Sequence, residues 1–251
     1  MSPKTTCRWH VVIIAFALAI PGHSAVIANG GFEVGFSSWT RIDQLGSEGT
    51  FFLQTGTVSP VNGSPVPAPP GGATAAMTDA PGPGSHILYQ DFTVTTAMPA
   101  AILVFDLFIG NRDTSFFAPN MLDFSTPTLN QQARVDLLVG ASAPFSLAAA
   151  DLLMNLYQTQ SGDPLVSGYT HISVDITSVI NSHLNTPLRL RFTEVDNVFT
   201  QQLGVDNVDI VASAVPEPST FLALVGLLCG TCLRRSSATP VTVRVRSGST
   251  T

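Results

Sequence analysis

Apolar positions follow two regimes along the chain. In the middle they alternate with polar positions over short runs; near both ends they run without a break. The alternating or compact apolar runs are 49–55, 86–95, 101–109, 133–139, 170–176, 188–193 and 204–211. They are rich in β-branched and aromatic residues and are separated by Gly, Pro, Asn and Asp, so each predicts a strand. Within them Leu188, Leu190 and Phe192 share one face while Arg189 and Arg191 take the other, and Val135, Leu137 and Val139 line up in the same way. Two stretches have helical spacing. Residues 146–158 put Leu153, Leu156 and Tyr157 on one side, and 175–184 suggest a turn or two. The Pro/Gly-rich segment 58–84 reads as loop or edge, because its prolines cannot donate to a ladder, with 73–78 as a short strand inside it. Short strands with long connections and no internal repeat predict an all-β fold: an antiparallel two-sheet β-sandwich over residues 26–214.

The unbroken runs at the ends carry different information. At the N-terminus, Lys4 and Arg8 precede ten apolar residues, 11–20, then Pro21, Gly22 and small residues at Ser24 and Ala25. That order predicts a signal peptide over residues 1–25, too short for a stable membrane span. At the C-terminus, Val215, Pro216, Glu217 and Pro218 precede an uncharged stretch, 219–233, closed by Arg234 and Arg235. Fifteen helical residues would reach about 22 Å, short of a hydrocarbon core of about 30 Å, so the arginines would snorkel from a cytoplasmic position. A basic polar tail, 236–251, follows.

This three-part segment resembles the PEP-CTERM sorting domain of bacterial surface proteins. The resemblance implies removal of the tail near Glu217 by an exosortase-type membrane protease, transient inner-membrane anchoring, and display or release outside the cell in exopolysaccharide-producing bacteria. The family usually ends soon after the arginines, whereas this chain continues to Thr251.

Composition narrows the function. The chain has 251 residues, three cysteines and a formal net charge of −6. Cys7 lies in the signal peptide and Cys229 and Cys232 in the apolar tail, so the exported body has no thiol chemistry. From Glu33 to Glu217 five arginines face 17 carboxylates, a formal −12. Lys4 is the only lysine, which excludes a nucleic-acid binder. The acidic balance favours divalent cations and neutral partners.

Asn29-Gly30-Gly31-Phe32-Glu33, with Phe36 and Trp39, resembles the opening of carbohydrate-binding-module-like jelly rolls, and 204–210 (GVDNVDI) resembles their last strand. The resemblance implies that the first and last strands meet, with Glu33 and Asp206 holding a structural calcium there. Without calcium the two carboxylates would cap backbone amides. Trp39 reads as core, and Phe116 and Phe117 as an exposed ligand platform. No nucleophile elbow, metal-binding helix or phosphate loop occurs, and His86, His171 and His183 lack metal spacing. Glu194 and Asp196 could flank a glycosidic bond, but 194–197 reads better as a turn. The expectation is a non-enzymatic polysaccharide-binding or envelope-associated module. A secreted glycan-active hydrolase and a self-associating structural surface protein are the alternatives.

Overall fold

The computed structural model describes residues 26–212. The expected signal peptide (1–25), the sorting segment and the basic tail lie outside the described residues. Ten strands and one short helix follow in the order β1 (Thr40–Asp43), β2 (Thr50–Gln54), β3 (Ala75–Asp79), β4 (Gly84–Phe92), β5 (Ala101–Asn111), β6 (Gln131–Val139), β7 (Leu152–Gln158), β8 (Thr170–Asp175), α1 (Thr177–Ser182), β9 (Leu188–Asp196) and β10 (Gln201–Ala212). They form two five-stranded sheets, β1-β4-β9-β6-β7 and β2-β3-β10-β5-β8, in which all named pairings are antiparallel. Only β2–β3 and β6–β7 connect neighbours in one sheet; every other connection crosses between sheets, as in a jelly roll.

Alternation explains the core. Leu188, Leu190 and Phe192 of β9 point inward with Leu88, Val135 and Leu137, and meet Leu103, Phe105, Leu107, Leu203 and Val205 of the other sheet. Trp39 is 6% exposed, lies between Phe32 (5.3 Å) and Phe192 (6.0 Å), and its Nε1 donates to Asn29 O at 3.0 Å. The opening motif meets the last strand: Val208 N donates to Gly30 O at 3.0 Å, and a Cβ on Gly30 would lie 1.8 Å from Val208 O. Only glycine permits that approach.

Three local readings change. Residues 146–158 are not helical. A turn over 146–151 leads into β7, because Leu152–Gln158 find more partners as an edge strand on β6 than as an isolated helix. The strand inside the Pro/Gly segment is no edge. β3 is fully buried between β2 and β10. Glu194 and Asp196 form no turn: they end β9, paired with His86 and Gly84 of β4.

The Pro/Gly segment is laid flat on the outer face of the second sheet. Val66 packs with Met77, Phe108 and Tyr169. Buried Asp79 accepts the amides of Val61 (2.7 Å) and Asn62 (2.8 Å), and Gln54 Nε2 donates to Pro67 O at 2.8 Å. A fixed cover with few hydrophobic contacts is thus held by polar bonds that begin on the sheet.

Trp39→Ala removes the aromatic centre of the core. Urea denaturation is expected to show a loss of about 3–5 kcal/mol; an unchanged midpoint would mean that the indole contributes nothing to the core.

Candidate functional site

The outer face of the first sheet carries the arginines that alternate with the core residues of β9. They face away from the core yet are buried, Arg189 to 6% and Arg191 to 0% exposure. A long loop, 142–151, covers them. Arg191 Nη1 donates to Pro144 O (2.6 Å) and Ser146 O (2.8 Å), Arg189 Nη1 to Ser142 O (2.7 Å), and Arg189 also grips Asp91 through Nε (2.7 Å) and Nη2 (2.8 Å). Asp136 supplies the counter-charge. It accepts from Arg191 Nη2 at 2.6 Å and from Arg134 Nε and Nη2 at 2.8 and 2.7 Å. Burial pushes the Asp136 carboxyl up, but the Arg134 hydrogen bonds and the charges of Arg191 and Arg134 outweigh it and leave it below the ordinary range. Burial pulls Arg191 down against the opposing effect of Asp136.

The second loop, 119–130, is hung from amide side chains. Gln132 Nε2 donates to Pro119 O (3.1 Å) and Met121 O (3.0 Å), Asn197 Nδ2 donates to Thr128 O (2.8 Å), and Gln44 bonds Asp123. Between the loops runs an open groove of about 550 Å³, walled by Gln44, Met121, Leu122 and Asp123 on one side and by Phe145 and Leu147 on the other. Its volume falls in the range of small-molecule sites. One wall offers an aromatic and an aliphatic surface, the other an amide and a carboxylate. The Gln44 hydrogen bond, with those of Ser125, holds Asp123 below the usual carboxylate range, so it stays an acceptor at neutral pH. Apolar contact beside short polar side chains suits a sugar ring, whose C–H face and hydroxyls alternate.

The platform expected from Phe116 and Phe117 is not formed. Phe116 is buried in the core, and Phe117 is half-buried and backbone-paired with Gln131. Phe145, half-buried in the groove wall, is the accessible aromatic instead. It sits at the entry to a stretch whose helical spacing concealed the loop.

Glu33 and Asp206 do come together, on the segment 71–74. Glu33 Oε1 accepts from Ala73 N (2.8 Å), Thr74 N (3.0 Å) and Thr74 Oγ1 (3.2 Å), while Asp206 accepts from Gly71 N (3.0 Å) and Asn207 N (2.8 Å). Gly72 has φ +58°, and a Cβ there would lie 2.2 Å from Glu33 Oε1. Asp106 stands opposite Asp206 in the register and bonds His171 Nδ1 at 2.8 Å. The backbone amides of Thr74 and Ala73 lower the Glu33 pKa; burial, with the Asp106 and Glu33 charges, raises Asp206 to about 6. Among the described residues no three or more His, Cys, Asp or Glu side chains converge as a metal shell.

Glu194 and Asp196 point into the end of the sandwich. Glu194 is 1% exposed and Asp196 4%. Burial, then repulsion from Asp196, pushes Glu194 well above its ordinary pKa, and its Oε1 has no hydrogen-bond partner among the described residues. Burial raises Asp196 to about 6 against the amides of Gln201 and Gly84. His86 Nδ1 lies 2.7 Å from Asp43 Oδ1 in the same row. A glycosidase needs both carboxyls at an open cleft. Asp196 borders a small one with Pro81, Pro83 and Phe199, whereas Glu194 is closed off behind it.

Residues 214–236 match the PEP-CTERM protein-sorting motif. The match spans Val215, the Pro216-Glu217-Pro218 triplet and Arg234-Arg235. Among the described residues no helix is long and apolar enough to cross a membrane; the apolar stretch 219–233 lies outside them. No curated protein matches the sequence. Solved structures with similar strand arrangements include a Stig cyclase, Fisc, from Fischerella sp. TAU (19% identity, 76% of this chain and 100% of that one, TM-score 0.45). Another is TmCBM61, solved with β-1,4-galactotriose (13%, 76% and 99%, TM-score 0.41). A third is the enzymatically active domain of tailspike protein 4 of bacteriophage CBA120 (11%, 74%, TM-score 0.42), of which this chain spans only 21%. The three differ in activity, and a shared arrangement of strands does not transfer one. The chain carries a PEP-CTERM sorting motif, the mark of an exported protein sorted to the cell surface, behind a β-sandwich body.

Glu194 and Asp196 make stability depend on pH. Both have folded pKa values above their unfolded ones; the contribution of Asp196 is complete below about pH 4 and is lost as pH rises through about 6, and Glu194 acts in the same direction. Melting temperature is expected to fall between pH 4 and pH 6.5, and Asp196→Asn to flatten that slope by on the order of 2–3 kcal/mol. A slope identical in the variant would show that Asp196 ionises as freely as in the unfolded chain.

Proposed function

We propose that the protein is a non-enzymatic, polysaccharide-binding module of the bacterial surface or extracellular matrix. In this reading residues 1–25 direct Sec export and 219–233 hold the chain transiently in the inner membrane, with Arg234 and Arg235 on the cytoplasmic side. An exosortase then cuts near Glu217. The released body takes a segment of exopolysaccharide into the groove between loops 119–130 and 142–151. The groove carries the reading. It combines Phe145 and Leu147 for the apolar face of a sugar with Gln44 and Asp123 for its hydroxyls. The formal −11 of residues 26–214, with 16 carboxylates and five arginines, favours a neutral glycan over an anionic one.

A structural Ca²⁺ at the meeting of the chain ends belongs to the same reading. Asp206, Asp106 and Glu33 concentrate negative charge at one place, and Asp106 Oδ1 lies 2.8 Å from His171 Nδ1. A hard divalent ion would relieve that repulsion. Glu33 and Asp206 would supply carboxylate oxygens and nearby backbone carbonyls the rest of a six- to eight-oxygen shell.

A glycan array of neutral glucans, galactans and xylans, probed with the mature protein with and without calcium, tests both parts. Retention of at least one neutral glycan is expected. Phe145→Ala should weaken it about tenfold or more at an unchanged melting temperature. Chelation should lower the melting temperature of the parent and not that of Asp206→Ala. No retained glycan, or full retention by the Phe145 variant, contradicts the groove; equal effects of chelator on both proteins contradict the calcium.

A further inference from the structure

We infer that the carboxylate-poor end of the sandwich, from which the C-terminal segment departs, is the docking surface for the membrane-embedded protease that removes that segment. The inference rests on the sorting reading above.

The length of chain between body and motif is the first observation. β10 ends at Ala212, which pairs with Ala101 at the start of β5. The motif begins at residue 214, and Glu217 is five residues beyond the strand. Five residues span at most about 18 Å. At this end β10 is held by β5, through the pairs Asp209–Val104, Ile210–Leu103, Val211–Ile102 and Ala212–Ala101, while its pairing with β3 is confined to Gly204 and Val205; the reach stays at that length while those four pairs hold. A protease that cuts near Glu217 therefore works against the folded body, and against this end of it.

The composition of that end is the second observation. It is capped by the stretches 93–100 and 176–187, which are stitched to one another and to β5. Ala101 N donates to Thr177 Oγ1 (2.8 Å), Ile176 N to Ala101 O (3.0 Å), Met98 N to Asn181 Oδ1 (2.9 Å), Asn181 Nδ2 to Met98 O (2.8 Å) and Asn185 N to Val94 O (2.9 Å). Neither stretch contains an Asp, Glu, Lys or Arg; His183 is the only ionisable side chain. In a body this acidic, such a gap is a feature. Four carboxylates lie around the cap, each with a hydrogen-bond partner: Asp91 is paired with Arg189, Asp151 accepts from Ser146 Oγ, Asp175 from Thr177 N at 2.9 Å and Asp209 from Ile210 N. Exposed Thr96, Pro99, Ser178 and Asn181 present a small-residue, hydrogen-bonding surface. Asp43, Asp79, Asp113, Asp123 and Asp196 lie toward the opposite end. The N-terminal segment runs in the same half: Ala28 N donates to Gln90 Oε1, in β4 next to the turn that leads to the cap. The arrangement keeps most carboxylates away from an anionic membrane surface and leaves a neutral face for the enzyme.

The test follows cleavage of the full chain by pulse-chase in an exosortase-containing host. Thr96→Glu with Ser178→Glu should slow cleavage about five- to tenfold. A twelve-residue Gly/Ser spacer between Ala212 and Ser213 uncouples the body from the motif, so it should slow cleavage of the parent and abolish the effect of the two glutamates, while an unchanged melting temperature of the double variant shows that its body is folded. Leu45→Glu, an acid added to a fully exposed side chain at the opposite end, should leave the rate unchanged. Cleavage of the double variant at the parent rate, or full-rate cleavage of the spacer variant, overturns the docking surface. Binding of anionic vesicles by the trimmed body, lost in the double variant, would replace the protease by lipid and also overturns it. Normal cutting of Glu217→Ala would instead bring down the sorting reading itself.

Discussion

Two guanidinium groups buried on the outside of a sheet constrain everything around the groove. A buried charge without partners costs several kcal/mol, so Arg191 and Arg189 require acceptors on the solvent side of the sheet. Asp136 and Asp91 supply the charge, and the carbonyls of Ser142, Pro144 and Ser146 supply further acceptors; Arg191 Nε has none among the described residues. A loop that offers three carbonyls to fixed donors loses most of its freedom. It is therefore held at a defined height over the sheet, and Phe145 and Leu147 are presented between those anchor points. The groove is a consequence of how the arginines are satisfied.

The second sheet is covered by the inverse device. There the sheet provides acceptors and the cover provides amides: Asp79 takes Val61 and Asn62, Asp206 takes Gly71, and Glu33 at the N-terminal turn takes Ala73 and Thr74. Arginine-to-carbonyl bonds on one face and carboxylate-to-amide bonds on the other let long connections lie flat without a large apolar contact. Two of the carboxylates that hold the cover on the second sheet, Glu33 and Asp206, lie near enough for the charge of Glu33 to raise the pKa of Asp206. The end cap uses neither device and holds itself with neutral side chains, consistent with a surface that meets a membrane-bound enzyme.

Much of this was legible in the residues. Period-two runs located most strands, the in-and-out order of Leu188 to Phe192 was correct, and the glycine and acid of the opening motif do meet the last strand. What could not be read was the fate of the outward positions. Alternation says that Arg189 and Arg191 leave the core; it does not say that a loop 45 residues away will cover them. The same gap hid the groove, whose walls come from loops far apart in sequence. Residues 146–158 misled for a related reason: helical spacing of Leu153, Leu156 and Tyr157 is a local signal, and pairing with β6 overrode it. Phe116 failed as a platform because a loop position in sequence can still point into the core. Glu194 and Asp196 looked like turn residues because two acids so close rarely end a strand inward, and their raised pKa values record the cost of doing so.

Hydrogen exchange on Arg191→Met measures the central dependence directly. The account predicts that amides of β4, β6 and β9 stay protected, because a methionine covers the same sheet surface, while those of 142–151 exchange at least tenfold faster as the loop loses its anchors. Unchanged protection of 142–151 in that variant would show that the loop stands without the arginine, and that the groove does not depend on buried charge.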